Sequence, residues 1–478
     1  STDRNPALAE AHARLSSATA LAALGDDARA REELAQAPAV DDPDLLADLE
    51  RLRGRLAMRA GDELGAVAAF ERGYFAALRS DRDGLAVLAA AELAAAGAVG
   101  YRERWQWAQH AKAALARTDD HEAAAAYDRG MCTLQRDSGA LDEAADHCAR
   151  ALAEGGDVEQ RILAMKSLAD VHTAADRLAD ARDLYAEALA LGEASWAADH
   201  PGIADALDDL AHAELRLERA ARARELAERA LALRSDDDPS LARSLHVMAA
   251  IDRWDGRYRE AYDASARALA LRRAALGERH REVARSWYQL ALVEEDLGRF
   301  ADALRSMSTC SAIEEELHPL DIARLPTLRE LARMAYTFGA GPSAGLEHLE
   351  RGWSIVQAAG VPLDHPLVKD LDHGYGETLL ALGRGAEGVP YLERYVDDPR
   401  PSPILPHVQF VLARALWVRA ADGDRARAVA LVDRAIAAVG KPWRAFDIDQ
   451  LEAMHAWRDE PARRDRWNEG MNWRDAPE

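Results

Sequence analysis

A unit of two short helical segments recurs along nearly the whole chain, at spacings of about 36 to 43 residues. The clearest copy runs from Ser286 to Glu316, with the turn Leu297-Gly298-Arg299-Phe300 between its segments. A repeat of this length indicates stacked helical hairpins, because one hairpin cannot bury its apolar stripe alone. The first small residue of the second segment marks the eleven copies, at Ala30, Ala66, Arg104, Ala144, Ala181, Ala223, Ala261, Ala303, Gly345, Gly388 and Ala428.

The marked position is small because two antiparallel helices need small residues where their backbones approach. The turn before it favours glycine, which tolerates the backbone conformation that ends a helix. Arg104 departs from this pattern, so we expect the third copy to be the weakest and its register to be the least certain.

Composition agrees with an all-helical chain and excludes several classes of function. Aromatic residues make up only 6% of the 478 residues, whereas sheets are rich in aromatic and β-branched residues. The formal charge of −23 argues against binding to nucleic acid or to an anionic membrane. Every apolar stretch long enough to span a bilayer is interrupted by charge, so we expect no membrane helix.

The chain has three cysteines, which predicts no disulfide framework and favours a reducing, cytoplasmic location. Cys132, Cys148 and Cys310 all fall on interior positions of the repeat. Buried cysteines of this kind are usually inert, so we expect them to fill core space.

The spacing of small residues, the Gly-Arg-aromatic turns and the Ala-Leu endings of second helices resemble tetratricopeptide repeats. His200-Pro201, His318-Pro319 and His365-Pro366 resemble the His-Pro openings of kinesin-light-chain-type repeats. We expect these pairs to act as structural punctuation, because proline suits the first turn of a helix. Residues 379–384 and 411–417 are similar to the repeat regions that follow the kinase domain in large myxobacterial Ser/Thr protein kinases.

The resemblance implies a right-handed, all-α superhelix of about eleven hairpins over residues 1–440. Residues 441–458 are predicted to form a capping helix, which a solenoid needs to cover its last open face. Residues 459–478 follow no repeat, and their arginines alternate with Trp467 and Trp473. We expect a loosely ordered tail there.

Motifs that carry catalysis were sought, and one partial match was found. Gly341-Pro342-Ser343-Ala344-Gly345 has the spacing of a nucleophile elbow, which requires a strand before the serine. The preceding residues 331–338 are predicted to be helical, so we interpret the match as a repeat turn. The sequence therefore predicts a protein that is not an enzyme and has no cofactor and no metal site.

Tetratricopeptide arrays usually bind an extended peptide or a partner helix in the concave groove that their first helices line. In our register, one groove-facing position includes Lys166, Asp208, His246, Tyr288 and His373, and the position one turn later includes Asp170, His212 and Glu377. Tryptophan and tyrosine among charged neighbours are typical of recognition hot spots. The predicted partner-binding patch consists of Asp208, His212, His246, Arg253, Trp254, Tyr288 and Glu295.

The predicted function is a non-catalytic scaffold or regulatory module that binds a protein or peptide in bacterial signalling. The alternative is an adaptor, inhibitor or proteolytic target in a bacterial defence system linked to a caspase-like CHAT protease. A kinase and a protease are accordingly the two candidate partners.

Overall fold

The computed structural model describes residues 6–460 and 464, except residues 24–25, 61, 98, 237, 340, 399–401, 403 and 440–444. For residues 445–450 it describes the backbone alone. Every regular element in this part of the chain is helical, which confirms the all-α prediction.

The described elements are 23 α helices and one short 3-10 turn, Ile322–Arg324. In chain order the helices are α1 (Pro6–Ala23), α2 (Asp27–Ala35), α3 (Pro43–Arg59), α4 (Glu63–Arg79), α5 (Asp83–Ala95), α6 (Tyr101–Leu115), α7 (His121–Asp137), α8 (Leu141–Ala153), α9 (Val158–Ala174), α10 (Leu178–Ser195), α11 (Pro201–Arg216), α12 (Ala220–Ala232), α13 (Leu241–Trp254), α14 (Tyr258–Leu276), α15 (Arg281–Asp296), α16 (Phe300–Leu317), α17 (Leu325–Phe338), α18 (Pro342–Ala359), α19 (Pro366–Ala381), α20 (Gly385–Val396), α21 (Leu405–Arg419), α22 (Asp424–Val439) and α23 (Ala445–Asp459).

Odd-numbered helices are the first helices of hairpins, and each packs against the even-numbered helix that follows it. The marker residues all lie early in the even-numbered second helices, and the alanines among them are fully buried. The backbones approach closely at the two glycine markers: a Cβ atom at Gly345 would lie 2.9 Å from the Ala332 carbonyl oxygen, and one at Gly388 would lie 3.0 Å from that of Gly376. The predicted series of hairpins is therefore confirmed.

Arg104 occupies the same place in α6 as the small residues do in the other second helices, so the predicted register of the third copy holds. Its side chain is buried, and its Nε donates a hydrogen bond to the Ala94 carbonyl oxygen at 2.8 Å. Its guanidinium also pairs with Asp137 at 2.8 Å. The arginine thus caps the end of α5 and links it to α7, which explains why a large residue is tolerated there.

Most turns inside the hairpins contain one residue with a positive φ angle. Gly256 has φ 74° and Gly383 has φ 74°, and a Cβ atom at either position would meet open space. Asp176 and Glu218 hold the same turn position with φ 59° and 62°. Glycine is favoured in these turns by the backbone and not by crowding.

The His-Pro pairs begin helices by a specific hydrogen bond. Nδ1 of His200 accepts a hydrogen bond from the backbone N–H of Gly202 at 3.1 Å, and His365 accepts one from Leu367 at the same distance. His318 instead ends α16. The imidazole thus replaces the usual polar N-cap at two of the three pairs, as structural punctuation requires.

The chain divides into two compact units, residues 1–286 and 287–478, and the boundary falls within α15. In the second unit, the side chains of Met454 and Trp457 of α23 are fully buried. They pack into the core of the hairpin α21–α22. A helix that covers this hairpin agrees with the predicted cap, while the divisions at 440 and 458 stay predictions. Trp467 and Trp473 lie outside the described residues.

The cysteines are buried as predicted, but Cys132 of α7 and Cys148 of α8 are joined in a disulfide. The expectation that the cysteines form no such bond is therefore wrong. The two residues lie where first and second helices of one hairpin approach, with their Cα atoms 5.2 Å apart. Because two of the three cysteines form a disulfide, the cysteines no longer support the prediction of a reducing compartment.

Candidate partner-binding face

Successive first helices in residues 158–254 bring charged and polar side chains onto one face. Asp209 of α11 lies between two cations: the Nζ atom of Lys166 is 2.7 Å away, and Arg243 of α13 also forms an ion pair with it. We use the name first-helix face for the group of side chains from these three helices. Its members are Lys166, Asp170, Asp209, His212, Arg243 and His246.

Helical geometry explains why these side chains share a face while their apolar neighbours do not. Lys166 and Asp170 are four residues apart, and Arg243 and His246 are three apart, so each pair projects from one side of its helix. Residues on the other side, such as Leu207, are buried in the core between hairpins. The face is therefore polar throughout, with its charges already paired across helices.

The two histidines of the face are held in their neutral form. The surrounding protein lowers the pKa of His212, with Arg216 and Arg285 acting in the same direction, although the His212 side chain is exposed to water. Burial lowers the pKa of His246 further, again with help from Arg285. Both imidazoles are therefore neutral near pH 7, when each ring carries one hydrogen-bond donor and one acceptor.

The structure corrects the placement of Asp208, which is only 1% exposed. Its carboxylate accepts a hydrogen bond from Ser244 Oγ at 2.8 Å and pairs with Arg234 at 3.1 Å. Burial raises its pKa to about 6. Asp208 therefore ties α11 to the next hairpin, and its neighbour Asp209 holds the place on the first-helix face that the sequence assigned to Asp208.

Arg253 and Trp254 lie at the end of α13, two turns after His246. Helical spacing puts Arg253 on the same side of the helix as His246. Trp254 is 50% exposed, which is unusual for so large an apolar side chain. Both residues therefore lie on the same helix as His246, and their grouping with His212 stays a prediction.

Tyr288 and Glu295 belong to unit 287–478, so we describe them apart from the five residues above. They lie seven residues apart on α15 and share one side of it. Burial, followed by the charge of Glu330, raises the pKa of Tyr288 to about 12. Glu295 forms a double hydrogen bond with the Arg333 guanidinium, at 2.7 and 2.6 Å. Both side chains are thus engaged within their own unit.

Two carboxylates on helices α15 and α16 are turned towards the protein interior. Glu294 is 6% exposed and accepts a hydrogen bond from Ser306 Oγ at 2.7 Å. Glu314 accepts one from Thr327 at 3.0 Å, and burial raises its pKa to about 7. Both are interior anchors between helices, because each lies on the side of its helix that faces the neighbouring one.

Unit 287–478 contains one further polar cluster, made by His373 and Glu377 of α19 and His407 of α21. The sequence predicts groove-facing positions one turn apart for the first two residues but gives no sign of the third. Burial lowers the pKa of His373 to about 4. Burial acts to raise the pKa of Glu377, but the hydrogen bond to His407 and the neighbouring histidines lower it to about 2.

The partial nucleophile-elbow motif follows helix α17, and Ser343 lies in the first turn of α18. The elbow geometry requires a strand at that place, so the motif is a repeat turn, as predicted.

Among the described residues, no helix combines the length and the apolar character needed to cross a membrane.

Comparison with known proteins agrees with this architecture. Residues 159–236 and 240–339 match the sequence profile of the tetratricopeptide repeat family. No curated protein matches the sequence significantly.

Several solved structures are similar to parts of this chain. A kinesin light chain protein of Podosopora anserina with nearly identical repeats is 23% identical, with a TM-score of 0.34, over 41% of this chain and 96% of that one. BtubC of P. vanneervenii is 20% identical, with a TM-score of 0.37, over 48% and 93%. A Rap protein in complex with competence and sporulation factor is 13% identical, with a TM-score of 0.47, over 84% and 98%. These matches do not test the resemblance to kinase-associated repeats, so that resemblance stays a prediction. By the match to the family profile, residues 159–236 and 240–339 are tetratricopeptide repeats.

Proposed function

We propose that the chain is a non-catalytic interaction module, and that the first-helix face with Arg253 and Trp254 binds a protein or peptide partner. The observation that carries this proposal is Trp254, whose half-exposed side chain lies at the end of α13, the helix that also carries His246 and Arg253. A large aromatic group on a surface that also carries polar side chains offers apolar contact area together with hydrogen-bonding groups.

The charges of the face define the kind of partner. Lys166 and Arg243 are already paired with Asp209, so neither sign is in excess on the face. A partner that depended on strong charge attraction would find little of it here. We therefore propose an extended or helical peptide of low net charge, with an apolar side chain that contacts Trp254.

Bacterial signalling is the proposed setting, in line with the resemblance of the repeats to those beside bacterial signalling kinases. The test is to use the purified chain as bait in a lysate of its source organism, and then to measure the affinity of each captured protein in purified form. A kinase or its substrate would support the signalling role. A protease that cuts the chain would support the defence alternative.

A matched pair of variants locates the site. The test variant is His212→Ala with Trp254→Ala, and the control is Tyr258→Ala with Arg259→Ala, on exposed positions of the second helix α14. We expect the test variant to weaken binding at least about tenfold and the control to bind normally. Equal affinity of all three proteins for the captured partner would refute the proposed site.

A further inference from the structure

The cluster of His373, Glu377 and His407 lies where two first helices, α19 and α21, face each other in unit 287–478. Each residue offers one atom of a metal-binding type, and these atoms all lie within 4.8 Å of one another. Two imidazoles and a carboxylate are a frequent ligand set for zinc and related transition metals.

The separations fit a single ion at the centre. His373 Nε2 lies 3.5 Å from Glu377 Oε2, and His407 Nε2 lies 3.6 Å from Glu377 Oε1. Ligand atoms about 2.1 Å from a tetrahedral zinc ion are about 3.4 Å from one another. The side chains would therefore need only small movements to share one ion.

An unsatisfied nitrogen atom independently indicates a ligand at this place. The Nε2 atom of His373 is buried, and among the described residues no group forms a hydrogen bond with it. Buried polar atoms are rarely left without a partner, and metal coordination would satisfy this one. The Nε2 atom points towards Glu377 and therefore into the cluster.

The ligand types in the cluster favour one class of ion, although the positive charges around it oppose the binding of any cation. The guanidiniums of Arg329 and Arg414 act on the cluster, and Glu377 is its only carboxylate. Calcium and magnesium require several oxygen ligands, which the cluster does not supply. Imidazole nitrogen suits zinc-like ions better than it suits calcium or magnesium, which favours a zinc-like ion despite the nearby positive charges.

We propose that His373, Glu377 and His407 bind one divalent transition-metal ion of the zinc type. The ion would link α19 to α21 and hold two successive hairpins in a fixed arrangement. Three protein ligands leave a fourth coordination position, which a water molecule or a carboxylate of a bound peptide can fill. Because the side chain of Glu377 is 37% exposed, that position is within reach of solvent.

The test uses the full chain after chelator treatment. Zn²⁺ binding is measured by competition with a chromogenic chelator, and Co²⁺ is added separately as a spectroscopic probe. We expect one equivalent of each ion to bind, a Co²⁺ absorption band typical of four-coordinate nitrogen and oxygen ligands, and a higher Tm with Zn²⁺.

Variants at the ligands complete the test. His373→Gln, His407→Gln and Glu377→Gln should each weaken Zn²⁺ binding by at least about tenfold. The control His121→Gln removes an exposed histidine of unit 1–286 and should leave binding unchanged. Absence of stoichiometric binding to the native chain would overturn the proposal and leave a hydrogen-bonded network, and so would native affinity in all three ligand variants. The Co²⁺ spectrum of the native chain decides the matter even where a variant fails to fold.

Discussion

At the scale of single residues, the backbone conformation of the hairpin turn, and not the space for a side chain, selects the residue. Gly256 is in the left-handed region with open space around its missing Cβ atom, so only its φ angle selects glycine. A residue with a side chain is strained there by about 1–2 kcal/mol. Asp176 and Glu218 carry that strain in their own turns, because the helices on both sides fix the backbone.

This comparison predicts opposite effects for one substitution at two glycines. Gly256→Ala should lower the free energy of unfolding by about 1 kcal/mol, since alanine strains the left-handed turn. Gly374→Ala should raise it by about 0.5–1 kcal/mol, because this glycine is inside helix α19 and an added Cβ atom makes an ordinary contact with Leu349 at 3.4 Å. Urea unfolding followed by circular dichroism measures both changes. A loss at Gly374 without a loss at Gly256 would show that crowding, and not the φ angle, decides.

Glu314 predicts a pH dependence of stability. Its folded pKa of about 7 lies above the ordinary value for a glutamate, so the folded state holds the proton more tightly than the unfolded chain does. The contribution of this group to stability is therefore greatest below about pH 4 and is lost as the pH rises to about 7. Replacement by glutamine removes the titration but keeps an oxygen acceptor for the Thr327 hydroxyl.

We therefore expect Glu314→Gln to stabilise the chain at pH 8 by about 1–2 kcal/mol and to have little effect at pH 4. Urea unfolding at several pH values checks this result. Glu347→Gln, at an exposed position of α18, is the control and should follow the native curve. A glutamine variant that is less stable than the native chain at pH 8 would mean that the ionised carboxylate is stabilising.

At the scale of helices and hairpins, the third repeat replaces the usual small-residue contact with the hydrogen bonds and the ion pair of an arginine. The guanidinium of Arg104 occupies the site of a small residue and binds the end of α5 and the carboxylate of Asp137 on α7. One side chain thus joins parts of three helices. Removing it takes one of two arginines from the Asp137 carboxylate, which keeps Arg136, and leaves the Ala94 carbonyl without this cap.

Arg104→Ala should therefore lower the free energy of unfolding by about 2–3 kcal/mol, even though alanine is the residue that the repeat pattern favours. Arg102→Ala, at an exposed position of the same helix, should change it by less than about 0.5 kcal/mol. Chemical denaturation of both variants makes the comparison. A more stable Arg104→Ala protein would show that the small-residue packing outweighs the cap.

The helices, their pairing and their turns could be predicted from the sequence, because the same pattern of small residues and turn residues recurs in successive copies of the repeat. Polar side chains on the first helices were harder to place. Asp208 and Asp209 are adjacent, and only the Ser244 and Arg234 side chains of other elements decide that the first is buried. His407 could not be joined to His373 from the sequence, because its position in the repeat is not equivalent. Sequence periodicity gives the face of a helix, but not the atoms that a neighbouring hairpin brings to it.

At the scale of the whole molecule, stacked hairpins bury most of their surface against immediate neighbours, so stability is expected to be local. Trp457 tests this at one end. Its ring is fully buried and packs edge to face against Trp417 of α21, with ring centroids 5.4 Å apart. Arg464 lies over the same ring, 4.9 Å from its centroid.

Trp457→Ala should cost about 3–5 kcal/mol where α23 packs on α21 and α22, because it removes a large side chain from a close-packed core. Hydrogen exchange measured by mass spectrometry should then show lost protection in residues 405–459, while peptides from residues 201–254 keep the native rate. Trp254→Ala is the matched control, since this tryptophan is half exposed and its removal leaves the core intact. Faster exchange throughout the chain in the Trp457 variant would contradict local coupling and mean that the hairpins unfold as one cooperative body. Local loss would instead mean that residues 201–254, which the proposed partner would contact, stay folded when the helices around Trp457 open.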